Sequence, residues 1–252
     1  MSSLGGPHIV TDQLTFYVDA ANRKSYESGS SETLNIINPS INPGSLDNGI
    51  NFTSEDKGKW TFDGSDDEIT FDKLTNGNWG TDSWSVNLWF STTSSISNSP
   101  SYGLIGKWSG GNYQEGWTIT LRGATYNGIL VRLISGSASN LSGTGGLRDI
   151  SPSENITSSL SNGKGHNITL TFNSSTRVGS LYVDGESVGS TSGYNAGFTW
   201  ENYITESNLY IGRASNLGSY FPGKISNVSF YRKSLSPKEI SQNYNALKGR
   251  FV

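Results

Sequence analysis

The chain has no cysteine, and that absence removes disulfide stapling, thiol catalysis and cysteine-held zinc or iron–sulfur centres together. It leaves the compartment open, because a β-sandwich of this size needs no staples. Histidine occurs twice, as His8 in the N-terminal tail and His166 at the start of an apolar strand pattern. Both read as ordinary surface histidines, so a Ser-His-Asp arrangement has little material. Charge is also sparse: 15% of residues are charged, the net charge is −3 and the pI is near 5.4. Lysine and arginine are scattered singly, so neither nucleic acid nor an anionic membrane surface finds a basic stripe. No apolar run approaches the roughly 20 residues of a membrane span. The start, Met1 to His8, has neither a basic region nor an apolar core, so no secretory signal is expected. A route out of the cell without export, such as assembly into a virion and release by lysis, fits that expectation.

What the chain does have is glycine, hydroxyl groups and aromatics. There are 31 glycines, aromatics make up 12%, and serine with threonine supplies about a quarter of the 252 residues. That usage suits many short strands joined by polar turns. Six Asn-x-Ser/Thr sequons occur, about what chance gives in so Asn- and Ser-rich a chain.

Strand patterns run the length of the sequence. Leu14–Asp19 is the first, and residues 27–58 read as an irregular excursion with one or two short strands around Asn38-Pro39, Asn42-Pro43-Gly44 and Asn48-Gly49. Trp60–Gly64 and Glu68–Phe71 form a pair of short strands around an acidic turn. Trp84–Phe90 places Trp84, Val86 and Leu88 on one face. Gly103–Trp108 and Gly116–Leu121 read as a hairpin with a long loop, and Asn127-Gly128 as a two-residue turn into Ile129–Leu133. Ser135–Gly146 reads as a mobile loop. His166–Phe172 and Ser180–Val183 alternate cleanly, and Asp184-Gly185 is a tight hairpin turn. Trp84, Trp89, Trp117 and Phe172 fall on strands and read as core or sheet-face residues.

Near the end, Leu209–Arg213 and Phe221–Tyr231 are strands, the second with one break in alternation that marks a bulge. Ser236-Pro237-Lys238-Glu239 is a capping box with proline at the first helical position. The expected fold is all-β: a two-sheet antiparallel β-sandwich with a short C-terminal helix, one domain over residues 1–252. Residues 1–11 are expected as an extended arm and 237–247 as the helix, stopped at Gly249. The basic, aromatic tail beyond it (Lys248, Arg250, Phe251) reads as a docking element.

Four islands in order, Leu14–Asn22, Phe62–Ile69, Leu181–Gly185 and the C-terminal strand–helix, give the chain its family likeness. With Trp84–Phe90 and Gly103–Leu121, they resemble a laminin-G-like (concanavalin A-like lectin/glucanase) jelly roll over essentially the whole chain. Asp19-Ala20-Ala21-Asn22 and the segment Gln242–Phe251 are similar to domains of phage structural proteins, marine ones especially. The resemblance implies a non-enzymatic virion surface protein, with capsid or appendage proteins as partners and host-surface glycans as a further ligand. A stand-alone lectin or adhesion module and a glycoside hydrolase are the alternatives.

Candidate sites follow. Sugars stack on exposed rings beside polar groups, and Trp79, Trp108, Tyr113, Tyr194, Trp200 and Tyr203 lie in or near loops. The same rings could instead pack laterally or against a neighbouring subunit. Asp63, Asp66 and Asp67 form the best local cluster for calcium, which takes hard oxygen ligands and which some relatives of the resembled family bind at the sandwich rim. Their competing role is to organise a tight turn through backbone hydrogen bonds. The glucanase pattern Glu-x-Asp-x-x-Glu is absent from the sequence, and Gly64 breaks the acidic cluster, so no catalytic residue is assigned. Gly143-Thr144-Gly145-Gly146 lacks the Lys-Ser/Thr of a phosphate loop and reads as a plain loop.

Overall fold

The computed structural model describes residues 8–40, 42–54, 57–74, 82–108, 116–134, 147–191, 207–214 and 219–251. In chain order the strands begin with β1 (Leu14–Asp19), β2 (Glu32–Thr33), β3 (Gly44–Asp47), β4 (Asn51–Thr53), β5 (Lys59–Asp63) and β6 (Glu68–Phe71). Next come β7 (Trp84–Ser91), β8 (Tyr102–Trp108), β9 (Gly116–Arg122), β10 (Gly128–Ile134) and β11 (Leu147–Ile150). A short helix α1 (Thr157–Leu160) precedes β12 (His166–Asn173), β13 (Val178–Val183) and β14 (Glu186–Thr191). The chain closes with β15 (Leu209–Ile211), β16 (Pro222–Tyr231) and helix α2 (Pro237–Phe251).

Two eight-stranded sheets result. One runs β14-β13-β12-β7-β16-β5-β4, with β1 added to β16; the other runs β11-β10-β9-β8-β15-β6-β3-β2. All described pairings are antiparallel. The expected two-sheet sandwich is therefore what forms. The strands flanking the acidic turn do not pair with each other: β5 joins the first sheet and β6 the second, so the turn arches between the layers. The irregular excursion carries three short strands rather than one or two.

The period-2 pattern explains the core. Trp84, Val86, Leu88 and Phe90 point inward from β7, and Phe230, Val228 and Ile225 from β16. Trp84 lies 6.3 Å from Trp117 and 6.0 Å from Phe172 between ring centroids, and Trp117 meets Phe230 edge-on at 5.8 Å. The expected bulge in β16 falls between Ile225 and Asn227, and it has a purpose. Below it β16 pairs with β5 (Ile225 opposite Trp60); above it the same edge pairs with β1 (Asn227 opposite Asp19). At the Asp184-Gly185 turn, φ values of 52° and 86° and the pairing of Val183 with Glu186 give the two-residue primed hairpin. Asn127-Gly128 does not form one. Arg122 pairs with Gly128 across a five-residue loop holding a 3-10 turn at Ala124–Tyr126. Asn98 Oδ1 and Pro152 O hold that loop by accepting from Thr125 N (3.3 Å) and Asn127 Nδ2 (2.7 Å), which a tight turn could not offer.

Helix α2 covers the outer side of the first sheet. Its capping box is formed: Ser236 N donates to Glu239 Oε2 at 2.9 Å, and Glu239 N to Ser236 Oγ at 3.4 Å. Burial opposes ionisation of Glu239, but hydrogen bonds from Lys233 and Ser236 outweigh it and hold the carboxyl below its ordinary range. Trp89, which points outward from β7, stacks on Tyr244 at 5.5 Å and meets the tilted ring of Phe251 at 5.0 Å. The helix runs four residues past its expected end and through Gly249. Tertiary anchoring explains why a glycine costing about 1 kcal/mol does not stop it. Arg250 grips Asp19 with two hydrogen bonds of 2.7 and 2.6 Å, and Phe251 O accepts from Gly165 N at 3.2 Å. Arg250 and Phe251 are thus consumed inside the molecule and are not a free docking tail. Nor is the N-terminal segment an arm where it is described: Gln242 Nε2 donates to His8 O (2.8 Å) and Val10 N to Asn243 Oδ1 (2.7 Å). Residues 1–7 of the expected arm lie outside the described residues, as does Ser135–Gly146.

Asp19 is 4% exposed and also accepts from Tyr17 Oη (2.9 Å) and Ala21 N (2.9 Å). Burial, then the Asp19 charge, pushes the Tyr17 phenol far above the tyrosine range. Removing Arg250 strands that carboxylate. Arg250→Met should lower the unfolding free energy by about 3 kcal/mol, read from urea denaturation. The double variant with Asp19→Asn should lose clearly less than the sum of the two singles.

Candidate functional site

The candidate binding aromatics are tied to one end of the sandwich by the strands that flank them. Trp79 lies between β6 and β7, Tyr113 between β8 and β9, and Tyr194, Trp200 and Tyr203 between β14 and β15. These five residues themselves lie outside the described residues. Trp108 is described in its backbone, as the last residue of β8 opposite Gly116. The flanking termini converge: Phe71 pairs with Leu209, Leu209 with Lys107, Lys107 with Trp117, and Ile134 with Gly116. On the facing sheet Trp84 starts β7 beside Phe172, and its ring meets Trp117 across the core. The ends of β14 join them, Thr191 pairing with Gly179 and Gly179 with Phe172, so the strand ends bounding four connections, β6–β7, β8–β9, β10–β11 and β14–β15, share a single rim.

A fully buried lysine stands just inside that rim. Lys107 is 0% exposed, and its Nζ donates to Ser207 O at 2.6 Å, fastening the end of β8 to the residue preceding β15. Sequence reading missed it because a lysine in an apolar strand normally reads as outward-facing.

The acidic cluster sits at the opposite end, in the arch from β5 to β6. Oxygens of Asp63, Asp66 and Asp67 lie within 4.8 Å of one another, a donor set that could contribute to a hard-cation site. Two of the three carboxylates are already engaged by the turn. Asp63 Oδ1 accepts from Ser65 N at 2.7 Å and Asp66 N at 3.4 Å, and Asp67 Oδ2 accepts from Asp63 N at 2.8 Å. The Ser65 amide, then that of Asp66, holds the exposed Asp63 carboxyl below the ordinary aspartate range. Asp67 moves the other way, raised by burial and by the charges of Asp63 and Asp66. The competing turn-forming role is thus filled by Asp63 and Asp67.

The outer face of the second sheet is partly roofed. A Cβ on Gly106 would meet Ala214 O at 1.9 Å, and one on Gly103 would meet Ala214 N at 2.1 Å, so the segment after β15 lies directly on β8. Arg213 is held there between the rings of Tyr210 (5.0 Å) and Tyr220 (5.1 Å) and donates to Glu68 Oε2 at 2.7 Å. Alternation in Leu209-Tyr210-Ile211 signals an outward Tyr210; the arrival of Tyr220 has no sequence signal.

His166 departs from its reading as a surface residue. It is 7% exposed, with Nδ1 at 2.8 Å from Asp184 Oδ2 and Nε2 at 3.2 Å from Asn162 Oδ1. Asp184 Oδ1 also accepts from Asn167 N at 2.8 Å, so the histidine and the carboxylate pin the β13–β14 hairpin to β12. No serine or threonine hydroxyl is paired with this imidazole among the described residues.

Comparison with known proteins agrees with this architecture. Solved structures with the same fold include the binding domain of Paraclostridial Mosquitocidal Protein 1, at 16% identity and a TM-score of 0.67, covering 93% of this chain and 52% of that one. The binding domain of Botulinum neurotoxin DC in complex with rat synaptotagmin II is 14% identical, with a TM-score of 0.65 and coverage of 93% and 52%. The same binding domain in complex with SialylT gives 14% identity, a TM-score of 0.66 and coverage of 94% and 52%. At these identities the likeness is one of fold, and the chain spans about half the length of those structures. No curated protein matches the chain by sequence at a significant level. A family model described as the concanavalin A-like lectin/glucanases superfamily matches residues 62–241, most of the sequence. The chain therefore belongs to the concanavalin A-like lectin/glucanase superfamily.

Proposed function

We propose that this chain is a non-enzymatic glycan-binding module, presented on the surface of a phage particle. The observation that carries the binding assignment is the convergence at one rim of every strand end flanking Trp79, Trp108, Tyr113, Trp200 and Tyr203. Rings gathered there would offer flat faces to the apolar side of a pyranose, with the hydroxyl- and amide-rich loop residues supplying polar partners. The structural neighbours are binding domains, one of them in complex with SialylT, which favours recognition over turnover. The phage assignment rests on the sequence likeness of Asp19–Asn22 and Gln242–Phe251 to phage structural domains. A stand-alone lectin is the second reading.

A glycan array with the full chain should give hits that Trp79→Ala and Trp200→Ala each weaken at least about tenfold, as loss of a stacking anchor requires. Arrays without hits would sink the rim assignment. Mass spectrometry of purified particles should contain the chain; its absence there, with array binding intact, selects the stand-alone lectin.

Hydrolysis would need a carboxylate pair spanning a glycosidic bond, and the acidic arch is better explained by its turn. That explanation fixes a pH signature. With Asp63 depressed, its contribution to stability is present above the unfolded value of 3.8 and is lost as pH falls through its folded value. Asp67 has the opposite sign, so its ionisation weakens the fold above its raised folded value. Carboxyl NMR titration should place Asp63 below and Asp67 above 3.8. Asp67→Asn should raise the melting temperature at pH 7 and lose that advantage below pH 3.8. A calcium ion on the cluster would instead pull the Asp67 titration down when calcium is added.

A further inference from the structure

Helix α2 roofs a row of side chains that crosses the first sheet: Asp19 of β1, Asn227 of β16, Trp89 of β7 and Asn167 of β12, each opposite the next. The two ends of the row are fully engaged. The Asp19 carboxylate accepts from Arg250, Tyr17 Oη and Ala21 N. The Asn167 amide donates to Asn87 Oδ1 at 3.2 Å and Leu88 O at 3.0 Å, and its oxygen accepts from Asn87 Nδ2 at 3.0 Å. The two middle members differ. Asn227 is 1% exposed and Trp89 is fully buried. Yet neither end of the Asn227 amide, nor the Trp89 indole N–H, has a hydrogen-bond partner among the described residues.

These unmatched groups lie together. Ile225 and Val228 face the core, which turns Asn227 outward, and Trp89 is outward because its ring stacks on Tyr244 of α2. Residues directly opposed on one face of an antiparallel pair have Cβ atoms about 5 Å apart. Exchanging the oxygen and nitrogen of the Asn227 amide does not help, since both ends are unmatched. Three such atoms left unmade would cost a sizeable share of a domain's stability. Between them they offer three N–H donors and one carbonyl oxygen. An anion would suit the donors, but it would also meet the Asn227 oxygen and lie one strand from the Asp19 carboxylate. Water suits both kinds of group, and a buried water makes about three hydrogen bonds.

We propose that the seam between the first sheet and α2 is a binding site for ordered water, held by the Asn227 amide and the Trp89 indole N–H. The site is independent of the glycan reading. It sits beside the bulge of β16, where β5 and β1 exchange places on the strand's edge. It makes the half of α2 that ends in Arg250 and Phe251 a wetted contact. The other half, around Ile240, closes on the apolar cluster of Val10, Tyr231 and Leu235.

Nuclear magnetic resonance on the full chain tests this without any variant. Cross-peaks from water to Trp89 Hε1 and to the Asn227 amide protons should carry the sign of long-lived bound water. Water-oxygen relaxation dispersion then counts the occupant. Asn227→Leu keeps the shape of the side chain and removes its polar atoms, so the dispersion amplitude should fall by about one water or more. Ser45→Ala, at an exposed position of the other sheet, should leave the amplitude unchanged. Adding chloride should leave the Trp89 indole resonance in place. Absence of both sets of cross-peaks, or an amplitude indifferent to Asn227→Leu, overturns the proposal. A Trp89 indole resonance that titrates with chloride overturns the water assignment in favour of an anion.

Discussion

Strand β16 carries the constraint on which the other elements depend, because it must be satisfied on both edges and both faces. Its last seven residues, Ile225–Tyr231, are all buried. One edge is served along its length by β7; the other is shared by β5 and β1, and the bulge at Ser226 is where they exchange places. The inner face packs on the second sheet through Ile225, Val228 and Phe230. The outer face carries Asn227, Ser229 and Tyr231, which need cover as well. Helix α2 supplies it, with Tyr231 Oη accepting from Asn243 Nδ2 at 3.0 Å. The Arg250–Asp19 pair then locks the far end of that cover to β1, which is itself held by β16. Terminal segments more than 200 residues apart in sequence are joined through one strand.

This explains why the C-terminal strand and helix were so legible in sequence and yet misjudged at their end. Alternation, the bulge, the capping box and proline at the first helical turn are local signals, and each reports a local energy of about 1 kcal/mol. The stop at Gly249 is also a local signal. It lost to a half-buried ion pair and to Phe251 packed on Trp89, both contacts with residues distant in sequence. The same reasoning covers Asn127-Gly128, where Asn98 and Pro152 outweighed a favoured turn dipeptide, and His166, where Asp184 came from a neighbouring hairpin. Local periodicity specified the sandwich; long-range polar contacts decided its exceptions.

Site residues divide along the same line. Loop aromatics can be picked out as candidates because rings outside apolar periodicity have no core to fill, but the convergence of the strand ends that flank them depends on strand order. The acidic arch was legible as a turn, since Asp63, Gly64 and Asp67 are typical turn chemistry. That it bridges the two sheets rather than closing a hairpin was not.

Lys107 links the rim to the core. A lysine wholly withdrawn from water is tolerated only where its ammonium is well partnered, and here Ser207 O provides one contact at the point where the chain returns to the sheet as β15. Its neighbours across the ladder, Trp117 and Leu209, belong to the main core, so the charge is set against packed apolar groups. An apolar residue would fill the same space without fastening β8 to Ser207. A charge buried at this position makes sense if the rim's strand ends have to be held in one arrangement, which is what a stacking surface for rigid sugar rings requires. The opposite end, where the acidic carboxylates are met by backbone amides of their own turn, has no such internal anchor among the described residues. That asymmetry makes the arch a joint between sheets and supports the proposal of recognition at the other end.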